Sequence, residues 1–420
     1  VIKTTGIEHK EMQHVFVGLL AVLVVARAIL DFSYYAQLRM HTVDSLDGLE
    51  SALAVFHTNK DILQELEVHD HFNIPKLHQI SHFVKSITPF GSTDGFNTEL
   101  PERLHTDFAK DAYRASNKHD YEEQMALWLQ WQEAIFLRSS YLDWLSERSQ
   151  SATVSSYTDP NRRYDLDSDS DAEIEELRST APTNASPSLP IDVVHILAKT
   201  PAHPRQSVDH LITAHGTTMF LPALKSFLHE HIPCNNIIPG PHDQFDVYRQ
   251  VVIVTPPDPR ASDSPKWLRI RATPEVQPGP GQKHGTPARF DMALISDGVR
   301  TSNLRTFEGV RVAQVRVIFT LPHQFQVGSG PLAYVKWFTP LREPDPSCGL
   351  HQVSRSTHQL QQNAAVIHLD KIVCPCHLIP KLGPSVDPRW MSANVYEMAH
   401  DFYLNTFIDL ETFCISARSV

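Results

Sequence analysis

One stretch of this chain constrains its folding more than any other. Between Asp159 and Glu176 it carries eight acidic residues against only Arg162 and Arg163, and Ser, Thr and Pro crowd both sides from Ser149 to Pro190. A segment this polar cannot bury enough apolar surface to offset the entropy lost on ordering, so residues 149–190 are expected to form a disordered acidic linker. Apolar residues recur at helical spacing before it and alternate in short runs after it. The fold class that follows is α+β. An all-α half (1–148) precedes the linker, and a short helical segment (191–240) leads from it into a β-rich small barrel or sandwich (241–420).

Val15 to Ala26 is a twelve-residue apolar run, too short for a bilayer span of about 20 residues, so it reads as a buried helix with no membrane role. Asp44 or Ser45 can cap a second helix carrying Leu46, Leu49, Leu53 and Phe56, and Pro75 opens a third. Pro101 opens another helix, and Tyr121 to Leu145 is a long aromatic-rich one whose Trp128, Ile135 and Phe136 are expected in a core. Between Ile191 and Ile232 two helices are expected, the second over Phe220 to Leu228. Beyond Pro241 the expected strands are Val247–Val254, Trp267–Ala272, Phe290–Ile295, Val310–Leu321, Ala333–Phe338, Ala364–Leu369 and Ile372–Ile379. Val310–Leu321 alternates most clearly and is expected to be half-buried.

Charge narrows the partners. The whole chain carries −11, yet residues 1–158 hold 13 basic and 21 acidic side chains whereas residues 241–420 hold 18 and 16. The slight basic excess of the β-rich part, with Arg305, Arg311 and Arg316 near its clearest strand, makes those three arginines candidate DNA contacts, although arginines alternating along a half-buried strand more often simply mark its solvent face. Five cysteines without a C-x-x-C pair exclude a disulfide framework and fit a nuclear or cytoplasmic protein. The chain opens at Val1 without a leader pattern, which reads as a fragment. No phosphate-binding loop, dinucleotide fingerprint, HExxH or GxSxG occurs, so no small-molecule substrate is expected.

Three clusters could carry chemistry. His78 and His82, four apart, could share a metal but lack a third ligand nearby, so structural histidines are the better reading. Cys374, Cys376 and His377, with His368, could bind zinc, but C-x-C spacing is poor for a tetrahedral site. In Gly91–His105, Glu102 sits in the first turn of the helix that Pro101 opens, where the helix dipole favours an ionised carboxylate. Such a carboxylate suits Mg²⁺, although two-metal phosphoryl transfer needs further carboxylates converging on it. On the residues alone, a simple helix-terminal charge is the better reading of Glu102.

The run PERLHTDFAKDAYRASNKHDYEEQMALWLQWQEAI resembles the transposases of Plavaka-type DNA transposons of fungi. So do TGIEHKEMQHVFVGLLA, HFNIPKLHQISHFV, VAQVRVIFTLP with LAYVKWFTPL, and CHLIPKLG with FYLNTF, in order along nearly the whole chain. That family stands with CACTA-like elements, whose transposases use an RNase H-like core and an Asp-Asp-Glu triad. The resemblance implies that this chain is the C-terminal portion, with Glu102 the third acid and Mg²⁺ ligand and Arg103 a phosphate contact. The two aspartates would lie upstream of Val1, so Mg²⁺ belongs to the intact transposase, and neither cleavage nor a cofactor is expected of this chain alone. The alternative is a non-enzymatic module that binds DNA or a nuclear chromatin protein.

Overall fold

The computed structural model describes residues 24–65, 70–151, 193–231, 237–277, 285–297, 306–325, 330–346, 348–358, 361–382, 387–391 and 394–417. The expected linker and most of the Val15–Ala26 run lie outside these residues. Contacts divide the chain into two units, Val1–Lys85 with Tyr164–Val420, and Ser86–Arg163. The N-terminal half is helical and the C-terminal half β-rich, an α+β fold.

In the smaller unit, α6 (Glu99–Leu104) runs through a π-helical turn (His105–Asp111) into α7 (Ala112–Ala115), and α8 spans Tyr121–Ser151. The turn between α7 and α8 places Lys118 and Asp120 at positive φ. Gln124 stabilises it by donating to Asn117 Oδ1 at 2.8 Å and to the His119 carbonyl at 2.7 Å. Contrary to the expectation of a core, Ile135 and Phe136 of α8 are exposed, as are Trp131, Leu137 and Trp144, and Trp128 is only half-buried. Their positions spread around the helix, so one packing surface cannot cover them all.

In the larger unit the helices are α1 (Val24–Ala36), α2 (Val43–Asn59), α3 (Ile62–Glu65), α4 (Pro75–Ile80) and the start of α5 (Phe83–Phe90). Thr42, not Asp44 or Ser45, caps α2. Its hydroxyl accepts from the Ser45 amide while the Ser45 hydroxyl accepts from the Thr42 amide, a reciprocal capping box. Helix α1 packs its Leu30 and Tyr34 against Cys348, Leu350, Phe407 and Phe413, and the Tyr34 hydroxyl donates to the Phe407 carbonyl.

The strands begin earlier than expected, with β1 (Val194–Ile196) and β2 (His203–Ser207) ahead of α9 (Val208–His215) and α10 (Phe220–His231). Then follow β3 (Gln244–Tyr248), β4 (Gln250–Thr255), β5 (Lys266–Thr273), β6 (Arg289–Phe290), β7 (Met292–Ser296), β8 (Val310–Thr320) and β9 (Leu332–Trp337). The last part holds β10 (Gln352–Ser354), β11 (Thr357–His358), β12 (Gln361–Gln362), β13 (Ala364–His368), β14 (Ile372–Cys376), β15 (Leu378–Pro380), α11 (Val395–Met398), β16 (Asp401–Leu404) and α12 (Leu410–Ser416).

Of the barrel or sandwich expected, no barrel forms among the described residues: these strands make open sheets. A four-stranded sheet has the order β1-β4-β5-β6, and a seven-stranded one runs β13-β9-β8-β3-β2 with β7 and β14 branching from β8. Strand β8 is the spine. Along one edge it pairs with β9, while its other edge is divided between β7 (Ser296↔Val310 to Met292↔Gln314) and β3 (Tyr248↔Ile318 to Asp246↔Thr320). Two runs that read as single strands, Val247–Val254 and Phe290–Ile295, each break and change sheet, at Arg249 and at Asp291. Bends of this kind let strands turn corners between packed sheets, and here they divert the chain from closing a cylinder. Asp291 ties the corner together: its amide donates to the Arg271 carbonyl at 3.0 Å, and its carbonyl accepts from Val315 at 3.0 Å.

Strand β8 is buried on both faces instead of one. On one face Val317 and Phe319 pack with Phe220, Leu224 and Phe227 of α10; on the other, Ala313, Val315 and Ile318 meet Val251, Ile253 and Ile270 of the four-stranded sheet. A strand covered from both sides loses the alternation expected of a surface strand. Phe220 anchors the helical side, fully buried, with its ring 5.3 Å from Phe245, 5.2 Å from Phe319 and 5.8 Å from Tyr334. Replacing Phe220 with Ala is expected to cost about 3–5 kcal/mol in urea unfolding followed by circular dichroism. A loss under about 1 kcal/mol would show that α10 does not close this core.

Candidate nucleic-acid interface

The residues singled out in the sequence end in different surroundings. Glu102 lies exposed on α6, and its Oε1 accepts from the Thr98 hydroxyl at 3.2 Å; Arg103 beside it is also exposed. Asp94 Oδ1 accepts from the Asn97 amide nitrogen at 3.2 Å. Arg305 lies outside the described residues. Arg311 projects from β8 over the Trp337 ring, its guanidinium 5.1 Å from the centroid, and donates to the Phe338 carbonyl at 2.6 Å and the Ser356 hydroxyl at 3.0 Å. His78 and His82 approach to 3.2 Å between their Nε2 atoms on the exposed surface. Cys374 and Cys376 pair across to Leu294 and Met292 and pack with apolar neighbours; burial pushes the Cys374 thiol up to about 12 and Cys376 well above its ordinary value. His368 instead packs against Phe227 and His231, with ring centroids 5.0 and 5.2 Å away. Among the described residues no group of three His, Cys, Asp or Glu side chains is placed to hold a metal ion, and no helix is long and apolar enough to cross a membrane.

Arg316 alone sits within a dense cluster of charge. By strand alternation it shares a face with Gln314, which pairs directly with Lys336 on β9, and a register shift falls between its neighbours Val315 and Val317. The Arg316 side chain is only 8% exposed. A guanidinium so buried needs partners for its five N–H groups, and it finds them in long-range neighbours. Its Nε donates to the His215 carbonyl at 2.7 Å, and its Nη1 to Glu397 Oε1 at 2.7 Å and Gln314 Oε1 at 3.3 Å. Its guanidinium carbon lies over the Phe290 ring, 3.8 Å from the centroid. Gly216, left-handed at φ 63°, ends α9 here because a Cβ would come within 2.7 Å of Arg316 Nη2.

Two more cations flank this pair. Arg355 reaches Glu397 Oε2 at 3.8 Å and donates to the Tyr396 carbonyl. Half-buried Lys336 makes no side-chain hydrogen bond among the described residues. Burial, then Arg316, pull its ammonium down to about 8, with Glu397 pulling the other way. Burial resists ionisation of Glu397, but Arg316, Lys336 and Arg355 together hold its pKa below the ordinary carboxylate value. Three cations thus face one carboxylate, itself about half exposed. Sequence reading found Arg316 but missed Lys336, Arg355, Glu397 and His215, which no local spacing connects to it.

His215 closes the buried end of the cluster. It is 1% exposed, and its Nδ1 lies 2.8 Å from the Arg316 carbonyl, the geometry of a ring N–H donating to it. Burial lowers its pKa to about 4, helped by the nearby charges of His210, Arg316 and His203. The unfolded chain therefore takes up a proton near pH 6.5 that the folded chain refuses until about pH 4. Stability is unaffected above pH 7 and falls as pH drops through that window, by about 3 kcal/mol at most for this group. The advantage of the wild type over His215→Gln in urea midpoint should therefore shrink steadily from pH 7.5 to pH 4.5. A wild-type–variant gap that stays constant from pH 7.5 to pH 4.5 would contradict it.

A separate cleft of about 380 Å³ opens beside β5, β14 and α12. Its charged walls are internally paired: Lys266 with Glu411 at 2.6 Å and Asp409 at 3.2 Å, and Arg260 with Asp258 at 2.6 Å.

Compared with known proteins, the chain matches no family model, no curated protein and no solved structure.

Proposed function

We propose that this chain is the C-terminal portion of a Plavaka-type transposase and that its β-rich region grips the phosphate backbone of DNA. The observation that carries the DNA contact is the face of β8 and β9 where Arg316, Lys336 and Arg355 meet the single carboxylate of Glu397. Buried Arg316 acts by holding Glu397, which leaves Lys336 as the ammonium available to a phosphate oxygen and Arg355 as its partner. The motifs from Pro101 to Ile135 support the transposase part of the reading. In it Glu102, on the surface of α6, is the third acid of the triad and a Mg²⁺ ligand, with Arg103 contacting phosphate. Strand cleavage then depends on two aspartates that belong to the intact transposase.

Phosphate contacts release counterions, so affinity for duplex DNA should fall steeply with salt, by about 0.9 in the log–log slope for each phosphate neutralised. Fluorescence anisotropy with the full chain and 25-base-pair duplexes of unrelated sequence (about two and a half helical turns) should show this loss alike for every duplex. Lys336→Gln should reduce the slope by about 1. Because the Lys336 ammonium titrates near 8, affinity should also weaken between pH 7 and pH 9, and Lys336→Arg, which keeps its charge, should abolish that weakening. Binding that is absent at low salt, or that ignores both salt and Lys336, would overturn the DNA reading.

A further inference from the structure

A second group of cations lies on the other sheet, where none was expected. Along β5, Leu268, Ile270 and Ala272 share a face with the inter-sheet core, so Arg269 and Arg271 stand on the opposite face. Arg271 pairs across to Gln250 and Arg269 to Val252, while Arg289 of β6 pairs with Thr273 and therefore shares the arginine face, diagonal to Arg271. Three guanidiniums thus gather on two adjacent short strands.

What marks this group is its unmet hydrogen bonding. Arg269 Nε, Arg269 Nη1 and Arg271 Nε are buried, and none has a hydrogen-bond partner among the described residues. Buried guanidinium donors in folded proteins are nearly always satisfied, because an orphaned charged donor costs its full desolvation. Asp291 is the carboxylate that feels all three arginines. Its Oδ2, however, accepts from the backbone amide of Arg271 at 2.8 Å and does not meet the orphaned side-chain nitrogens. Among the described residues, this one carboxylate against three guanidiniums leaves the group two positive charges in excess.

We propose that Arg269, Arg271 and Arg289 form an oxyanion site that takes a phosphate group. A planar guanidinium fork presents paired N–H donors at the spacing of two phosphate oxygens, and two such forks on alternate residues of one strand converge on a tetrahedral anion. Arg289, exposed at the rim, admits the group; Arg269 and Arg271 receive it. The phosphate can arrive free or as part of a nucleic-acid backbone. The site stands on a different sheet from Lys336 and does not rest on the DNA reading above.

Titrating inorganic phosphate into the full-length chain by calorimetry should show one saturable site. Arg269→Gln and Arg271→Gln should each weaken it at least tenfold, and Arg289→Gln, at the exposed rim, several-fold. Displacement of the phosphate by duplex DNA assigns the site to a backbone phosphodiester, and indifference to DNA assigns it to a free or terminal phosphate. Where a buried-arginine variant does not fold, the wild type decides. Phosphate should protect the peptide bearing Arg269 and Arg271 from phenylglyoxal, as mapped by mass spectrometry. Lack of saturation by tens of millimolar phosphate, or equal labelling with and without it, overturns the proposal. Phosphate binding without DNA binding would leave this site standing and remove only the Lys336 reading; the reverse would remove only this site.

Discussion

The β-rich region is organised around a positive charge in the longest of its described strands. Arg316 lies on β8, which is covered on one face by α10 and on the other by the four-stranded sheet, and its guanidinium has almost no access to water. A buried charge of this kind is tolerated only when its partners are fixed. The partners come from three places: the carbonyl that ends α9, the neighbouring Gln314, and Glu397 on the short helix α11. Satisfying Arg316 therefore fixes where α9 stops, why Gly216 follows it, and where α11 docks. The same ion pair uses up much of Glu397 and leaves Lys336 and Arg355 in cationic excess at the edge of the cluster.

The two sheet corners follow a related logic. Strand β8 offers one edge to two different strands, and neither can continue along it without colliding with the other. Each run therefore leaves for a second sheet, one at Arg249 and the other at Asp291. Backbone bonds from Asp291 to Arg271 and Val315 hold the second corner across both sheets. The corner also draws β5 and β6 together, which is how Arg269, Arg271 and Arg289 come to share a face. Both cationic groups are thus products of the same constraint on β8, although they lie on different sheets.

Much of this was legible from local pattern. Strand β5 falls within a residue of the Trp267–Ala272 run, α10 contains the predicted Phe220–Leu228 stripe, and β8 matches Val310–Leu321. What local pattern could not show was pairing. Val247–Val254 and Phe290–Ile295 are unbroken β-favouring runs, and nothing within them marks a bend that β8 imposes from outside. The alternation in β8 read as one wet face because the helix and sheet that cover it lie far away in sequence. For the same reason Arg316 was found as a residue and misjudged as a setting: Glu397 is 81 residues away and His215 101. The exposed aromatic residues of α8 went the other way, since apolar composition alone does not say whether a packing partner is present.

The most direct measurement would locate DNA on the chain instead of merely detecting it. A duplex carrying a photoreactive aryl azide on single phosphates, irradiated with the full chain and mapped by mass spectrometry, reports which peptides lie beside the backbone. Cross-links concentrated in the peptides bearing Lys336 and Arg355 are the expected result. Cross-links confined to residues 86–151, or none above those to an unrelated acidic protein, would contradict a DNA contact built around Arg316.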